Sequence, residues 1–241
     1  MPPSPVLLAA NNASEWTGPT GNNTYLLPGP PSMLIDAGIG DPAHLDALGR
    51  ELAAAALDLV LITHHHVDHS AGVPALLERW PGVVVRGGGA GAPLVDGESF
   101  PCGSTTLRAI HTPGHAPDHF CFFDETSREV YCGDLARIGG TVVIPASRGG
   151  DLGDYLRSLE RLRNLRPSSL LPAHGPIVED PARVIDAYLA HRRERHEEIL
   201  AALADGLRTP AEIVARVYPA LPRGLVAAAE DTVLAHLRVG K

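Results

Sequence analysis

Leu59-Val60-Leu61-Ile62-Thr63-His64-His65-His66-Val67-Asp68-His69 is the stretch from which the rest of the chain can be read. Four apolar residues without a polar break predict a short strand buried on both faces. The strand ends in imidazoles and a carboxylate with the spacing His64-x-His66-x-Asp68-His69. These are ligands that borderline metals such as Zn(II) accept. If the segment leaves the strand as a turn, His64 and His66 point the same way, and Asp68 and His69 reach a second position nearby. One loop supplies four ligands, too few to close two metal sites, so the others must come from elsewhere.

The rest of the chain offers them in similar settings. His115 follows the strand predicted at 107–110, in His111-Thr112-Pro113-Gly114-His115. Asp134 follows the strand at 130–132, and His174, in Ala173-His174-Gly175, follows the strand at 169–171. A glycine beside each permits a tight turn and close backbone approach. Polar residues at the ends of apolar strands recur throughout.

Further strands are predicted at 25–27, 33–35, 83–85 and 120–123. Helices are predicted at about 42–56, where Asp41 caps and Pro42 fills the first turn, at 73–79 and at 154–164. This mixed order implies sheets covered by helices, an α/β layered domain. The character changes near residue 180. Asp180-Pro181 opens a long helix with an apolar stripe, which Asp205-Gly206 ends. Thr209-Pro210-Ala211-Glu212 is a capping box, and a last helix covers about 224–237. Two parts follow: a catalytic domain at 1–180 and an all-helical appendage at 181–241.

Taken together, these motifs resemble the metallo-β-lactamase superfamily, whose fold is an αββα sandwich with its site at one edge. The resemblance implies that His64, His66 and His115 hold one metal, that Asp68, His69 and His174 hold a second, and that Asp134 bridges them. The implied cofactor is two Zn(II) ions, with iron or manganese as alternatives. The implied chemistry is hydrolysis by a metal-bridging hydroxide, with Asp68 orienting that nucleophile.

Within the superfamily the chain is most similar to the β-lactamase-like protein 2 group. The similarity lies in Gly21-Asn22-Asn23-Thr24-Tyr25, in Thr112-Pro113-Gly114-His115-Ala116-Pro117-Asp118-His119, and in His191-Arg192-Arg193-Glu194-Arg195 with the winged-helix-like tail. The sequence stops at Val239-Gly240-Lys241, where a wing would follow, so the wing is expected to be missing. His119 is taken as a second catalytic candidate, a proton donor lining the pocket, against a structural role in holding its loop. His65 is expected to point away from the metals and His111 to be structural. Ser147, Arg148 and Tyr155 are candidate contacts in a substrate-facing loop at 137–153.

Composition narrows the function. The formal charge is −8, and residues 1–181 carry 20 acidic but only 11 basic side chains, which speaks against a protein built mainly to neutralise phosphates. Cys102, Cys121 and Cys132 are odd in number and lack CxxC pairing, so they read as small buried thiols. Neither a secretory leader nor an apolar span is recognisable, and the expectation is a cytoplasmic protein without membrane contact. A secreted antibiotic-cleaving enzyme is disfavoured on the same ground. The favoured substrate is a small acyl compound: a thioester, lactone or related ester. Cleavage of single-stranded RNA and a redox iron protein are the alternatives. A homodimer is compatible with the helical tail.

Overall fold

The computed structural model describes residues 4–239. Two five-stranded sheets stack face to face. The first consists of β1 (Val6–Ala9), β2 (Asn23–Leu27), β3 (Met33–Ile35), β4 (Leu59–Ile62) and β5 (Val84–Gly87), side by side in chain order. The second consists of β6 (Ser99–Cys102), β7 (Thr105–His111), β8 (Phe120–Asp124), β9 (Glu129–Gly133) and β10 (Ser169–Pro172), again in chain order. β3, β4 and β5 run parallel, as do β9 and β10. The helices are α1 (Pro42–Leu52), α2 (Val67–Ser70), α3 (Val73–Arg79), α4 (Leu152–Asn164), α5 (Pro181–Ala204), α6 (Pro210–Val217) and α7 (Val226–Arg238).

The layering follows from the two-residue period of a strand. Leu26, Leu34 and Val60 face outward, against Leu45 and Leu48 of α1 and Leu76 of α3. Tyr25, Ile35 and Leu61 face inward, where they meet Leu107, Ala109, Phe122 and Tyr131 of the other sheet. Ile110, Phe123 and Val130 form the second outer face, under Tyr155 and Leu159 of α4 and Ile185 and Leu189 of α5. Both faces of β4 are therefore buried, which is why its sequence is an unbroken apolar run. The αββα sandwich expected from the motifs is the fold observed.

The tail is helical. The first half of α5 belongs to the large outer cluster, whereas its second half joins α6 and α7 around Ile199, Ala202, Ile213, Val214 and Val233. The Thr209 hydroxyl accepts from the Glu212 N–H and the Glu212 carboxylate accepts from the Thr209 N–H, the reciprocal cap expected from the sequence. The missing-wing expectation rests on Val239-Gly240-Lys241, of which Gly240 and Lys241 lie outside the described residues, and the leader reading on residues 1–10, of which Met1 to Pro3 do. Among the described residues no helix is long and apolar enough to cross a membrane.

Some boundaries differ from expectation. α1 stops at Leu52 because Ala53 turns left-handed, with φ of 53°. β1 and β6 lie at sheet edges. In β6 exposed Ser99 and Pro101 alternate with buried Phe100 and Cys102, so it forms no continuous apolar run; β1 is apolar throughout, yet only Leu8 of it is buried.

All three thiols are free and buried. Burial pushes Cys102 up to about 11 and Cys121 up to about 12. At about pH 8 the thiolate is therefore scarce and inaccessible. A disulfide-exchange reagent should label essentially no thiol within minutes in the native protein and all three in denaturant. Rapid labelling of even one would contradict this packing.

Candidate metal centre

The chain ends of β3, β4, β7, β9 and β10 open onto one edge of the sandwich. Backbone bonds tie the sheets together there: the Phe120 N–H donates to Thr63 O at 2.8 Å, and the Asn23 N–H to Ala173 O at 2.7 Å. After Thr63 the chain runs through His64 and His65 into α2, with His66 at its N-cap. This one-turn helix carries Asp68 and His69, and its only fully buried residue is His69. Being so short, it shows no apolar periodicity from which to predict it.

The structure brings all seven expected residues together. His66 Nδ1 lies 2.9 Å from both His64 Nε2 and His115 Nε2. Asp68 Oδ2 lies 3.4 Å from His69 Nε2 and from His174 Nε2. Asp134 stands between these groups, with Oδ2 at 3.5 Å from His115 Nε2 and 3.7 Å from His69 Nε2, and Oδ1 at 3.3 Å from His174 Nε2. His64, His66 and His115 form one cluster able to hold a metal ion, Asp68, His69 and His174 another, and His64, His69 and Asp134 a third that overlaps both.

In three of the five imidazoles the nitrogen facing away from the cluster is anchored, whereas His66 Nε2 and His174 Nδ1 are buried without a partner. His64 Nδ1 lies 3.0 Å from Thr63 Oγ1, His69 Nδ1 lies 2.8 Å from Asp36 Oδ2, and His115 Nδ1 donates to Val143 O at 2.7 Å. A back nitrogen that donates leaves the front nitrogen with a lone pair, which is what a ligand needs. His69 Nε2 and Asp134 Oδ1 are buried and lack hydrogen-bond partners. Unpaired polar atoms in the interior are costly. A cation among them would satisfy both, so the residues present fit a metal.

Electrostatics point the same way. Burial and the surrounding imidazoles push His64 well down, and burial with His115 takes His66 to about 4. Burial opposes charge on Asp134 and His174, but their mutual attraction wins. Asp134 is held well below the carboxylate range, and His174 rises to about 9. Burial likewise opposes charging His69, and Asp36 and Asp134 outweigh it, raising His69 well above its usual value. The same carboxylates that favour positive charge on His69 and His174 would favour a bound cation.

Two glycines are required by the packing. Gly133, at φ of 49°, leaves room for a Cβ only 2.7 Å from His119 Nε2. Gly114, at φ of 135°, lies against the Tyr155 backbone, and a Cβ there would sit 2.3 Å from Tyr155 Cα. They precede Asp134 and His115 directly.

His119 requires a correction. It is fully buried, its Nε2 accepts the Asp134 N–H at 3.1 Å, and its Nδ1 bonds Thr112 Oγ1 at 2.9 Å. Burial drives it down to about 3. With both ring nitrogens engaged it has no proton to offer a substrate; it fixes the turn that presents Asp134. Tyr155 is also removed as a substrate contact, because it is buried and donates to Leu135 O. Ser147 donates its hydroxyl to Asp231, and Arg148 is exposed. His65 turns outward to Asp118, and His111 bonds Pro117 O.

Two residues with a part in the site were not assigned from sequence. Asp36 accepts from the Thr63 N–H, the Thr63 hydroxyl and the His69 ring. Asn22 donates to Asp68 Oδ2 at 3.1 Å and is itself held by Asn12. Asp36 did carry a signal, a polar residue directly after an apolar strand.

Fold and cluster together define a metal-dependent hydrolase. The chain belongs to the metallo-beta-lactamase superfamily, whose family model matches residues 17–102 and 85–174. The beta-lactamase associated winged helix domain matches residues 209–238. A lactamase-like protein, vrtG, from Penicillium aethiopicum is 32% identical over 213 residues, covering 85% of this chain and 68% of that protein. An atrochrysone carboxyl ACP thioesterase from Aspergillus fumigatus is 31% identical over 227 residues, covering 84% and 70%. Other fungal lactamase-like relatives are longer, and the chain spans 59–61% of their length. A metallo-beta-lactamase family protein from Thermus thermophilus superposes with a TM-score of 0.80 at 25% identity, covering 97% of this chain and 91% of that one.

Proposed function

We propose that the chain is a two-metal thioesterase that hydrolyses the thioester of a small acyl compound. The observation that carries this reading is the convergence of seven side chains from both sheets, with Asp134 shared between two three-ligand groups. His64, His66 and His115 would hold one ion, and Asp68, His69 and His174 the other. Imidazole and carboxylate donors without thiolate suit zinc. The choice of a thioester is supported by the relative named as an acyl-carrier thioesterase.

Bound metals of this kind supply an acidified water and polarise a carbonyl oxygen. The side chains do the rest. Asp68 is the more open of the two carboxylates, its side chain 29% exposed against 15% for Asp134. Held by Asn22, it can orient the attacking water and take its proton. Water oxygen adds to the thioester carbonyl carbon, the carbon–sulfur bond breaks, and the departing sulfur receives the proton, giving a carboxylic acid and a thiol. No serine or cysteine nucleophile is required.

The test is a substrate panel on zinc-loaded protein: acyl thioesters, lactones and a fluorogenic single-stranded RNA. Thioesters should be turned over fastest, and Asp68→Asn should lower the rate by about 10²–10⁴-fold, the range for loss of a positioned acid–base group. RNA cleavage that disappears in Asp68→Asn, with no thioester turnover, would replace this reading by a nuclease.

A further inference from the structure

We infer that the C-terminal helices are a working part of the metal centre, with Arg192 of α5 and Thr232 of α7 acting as positioning residues for His115. This rests on the proposed reading of His115 as a metal ligand.

His115 depends on a segment that neither sheet supports. Its Nδ1 donates to Val143 O, and residues 136–144 lie in no strand or helix. The hydrogen bonds that fix this segment come largely from the tail. The Tyr188 hydroxyl of α5 meets the Arg137 N–H and carbonyl and the Gly140 carbonyl, at 3.1–3.3 Å. Arg192 Nη2 donates to Thr141 Oγ1 at 3.2 Å and to Val142 O. The Ile144 N–H donates to Thr232 Oγ1 at 3.3 Å. Beyond it, Asp231 accepts from the Ser147 N–H and hydroxyl, and Arg238 donates to Ala146 O at 2.7 Å.

The carbonyl that orients His115 therefore sits between two residues, Val142 and Ile144, each gripped by a different tail helix. A second route reaches the same ligand. The Arg192 guanidinium stacks 5.3 Å over the Tyr155 ring, and the Tyr155 backbone packs on Gly114, the residue before His115. Arg192 is 2% exposed. A buried cation is retained at a cost unless its surroundings use it, and here it is used to hold a carbonyl and an aromatic ring. Fixing the Val143 carbonyl fixes the His115 tautomer and ring plane, and loss of such a hydrogen-bond partner costs about 10–100-fold in metal affinity.

The experiment measures zinc affinity of the full chain by competition with a chromophoric chelator, and the visible spectrum of the Co(II)-loaded protein. Thr232→Val keeps the shape but removes the acceptor; Thr232→Ser keeps the hydroxyl; Arg192→Met removes both donated bonds. Ile213→Ala, in the small tail cluster, controls for general loosening. One of the two zinc ions should bind at least about tenfold more weakly in Thr232→Val and Arg192→Met, with a changed Co(II) spectrum. Thr232→Ser should restore both, and Ile213→Ala should lower Tm with affinity unchanged. Wild-type affinity in Thr232→Val and Arg192→Met, or an equal loss in Ile213→Ala, would overturn the inference alone. A wild-type protein that binds no metal would overturn the metal-centre reading and this inference with it.

Discussion

Asp134→Ala is expected to reduce the zinc content of the purified protein from the proposed two ions per chain to one or none, and to lower hydrolysis by at least about a thousandfold. Asp134 is a side chain within reach of both groups, its carboxylate oxygens lying 3.3–3.7 Å from His115, His69 and His174. Without it, the first group is three neutral imidazoles and the second retains a single carboxylate, Asp68. Several kcal/mol of charge stabilisation disappear, and each 1.36 kcal/mol is tenfold in rate. Asp134→Asn keeps the volume and isolates the charge; it should resemble alanine in metal content while folding more firmly. Elemental analysis of the two variants decides the matter, and two tightly bound ions in either would refute the shared role.

Asp36→Ala should have the next largest effect, although Asp36 is not itself proposed as a metal ligand. Its carboxylate takes three donors, the Thr63 N–H, the Thr63 hydroxyl and His69 Nδ1, at 2.7–3.0 Å. Removing it frees the His69 ring to rotate and to adopt the other tautomer, which should weaken zinc binding by about 10–100-fold. The variant should also be less stable by about 1–3 kcal/mol, because the buried Thr63 N–H loses its acceptor. Alanine would further be strained at the left-handed φ of 61°, which asparagine tolerates. Asp36→Asn therefore separates the causes: it should recover most of the stability but little of the affinity. Chelator titration alongside thermal unfolding reads both, and full zinc affinity in Asp36→Asn would show that His69 needs no anionic partner.

What could be read in the sequence follows from how each feature is encoded. β4 is visible because both its faces are buried, so its residues are apolar without interruption. The ends of α1, α5 and α6 are visible because Asp41, Asp180 and Thr209 cap them before a proline. The metal cluster is visible because four of its residues share one loop. The long-range partnerships are not encoded locally. Nothing around Val143 announces that its carbonyl will receive the His115 ring, nor does the sequence near Asn22 point to Asp68. His115 and His119 lie four residues apart in the same motif, yet one faces the cluster and the other backs Asp134. That difference is set by which ring nitrogen meets which backbone group, something spacing does not record.

The division of the seven side chains between two sheets also bears on how the molecule assembles. His64 to His69 leave the first sheet, while His115, Asp134 and His174 leave the second. The group runs from residue 64 to residue 174, so its members meet only after long loops have closed and the halves have docked. Contacts so distant along the chain form late and slowly. A partly folded chain would display histidine pairs from a single loop, able to catch a metal loosely and on one side. Tight occupancy would then report completed docking of the two halves.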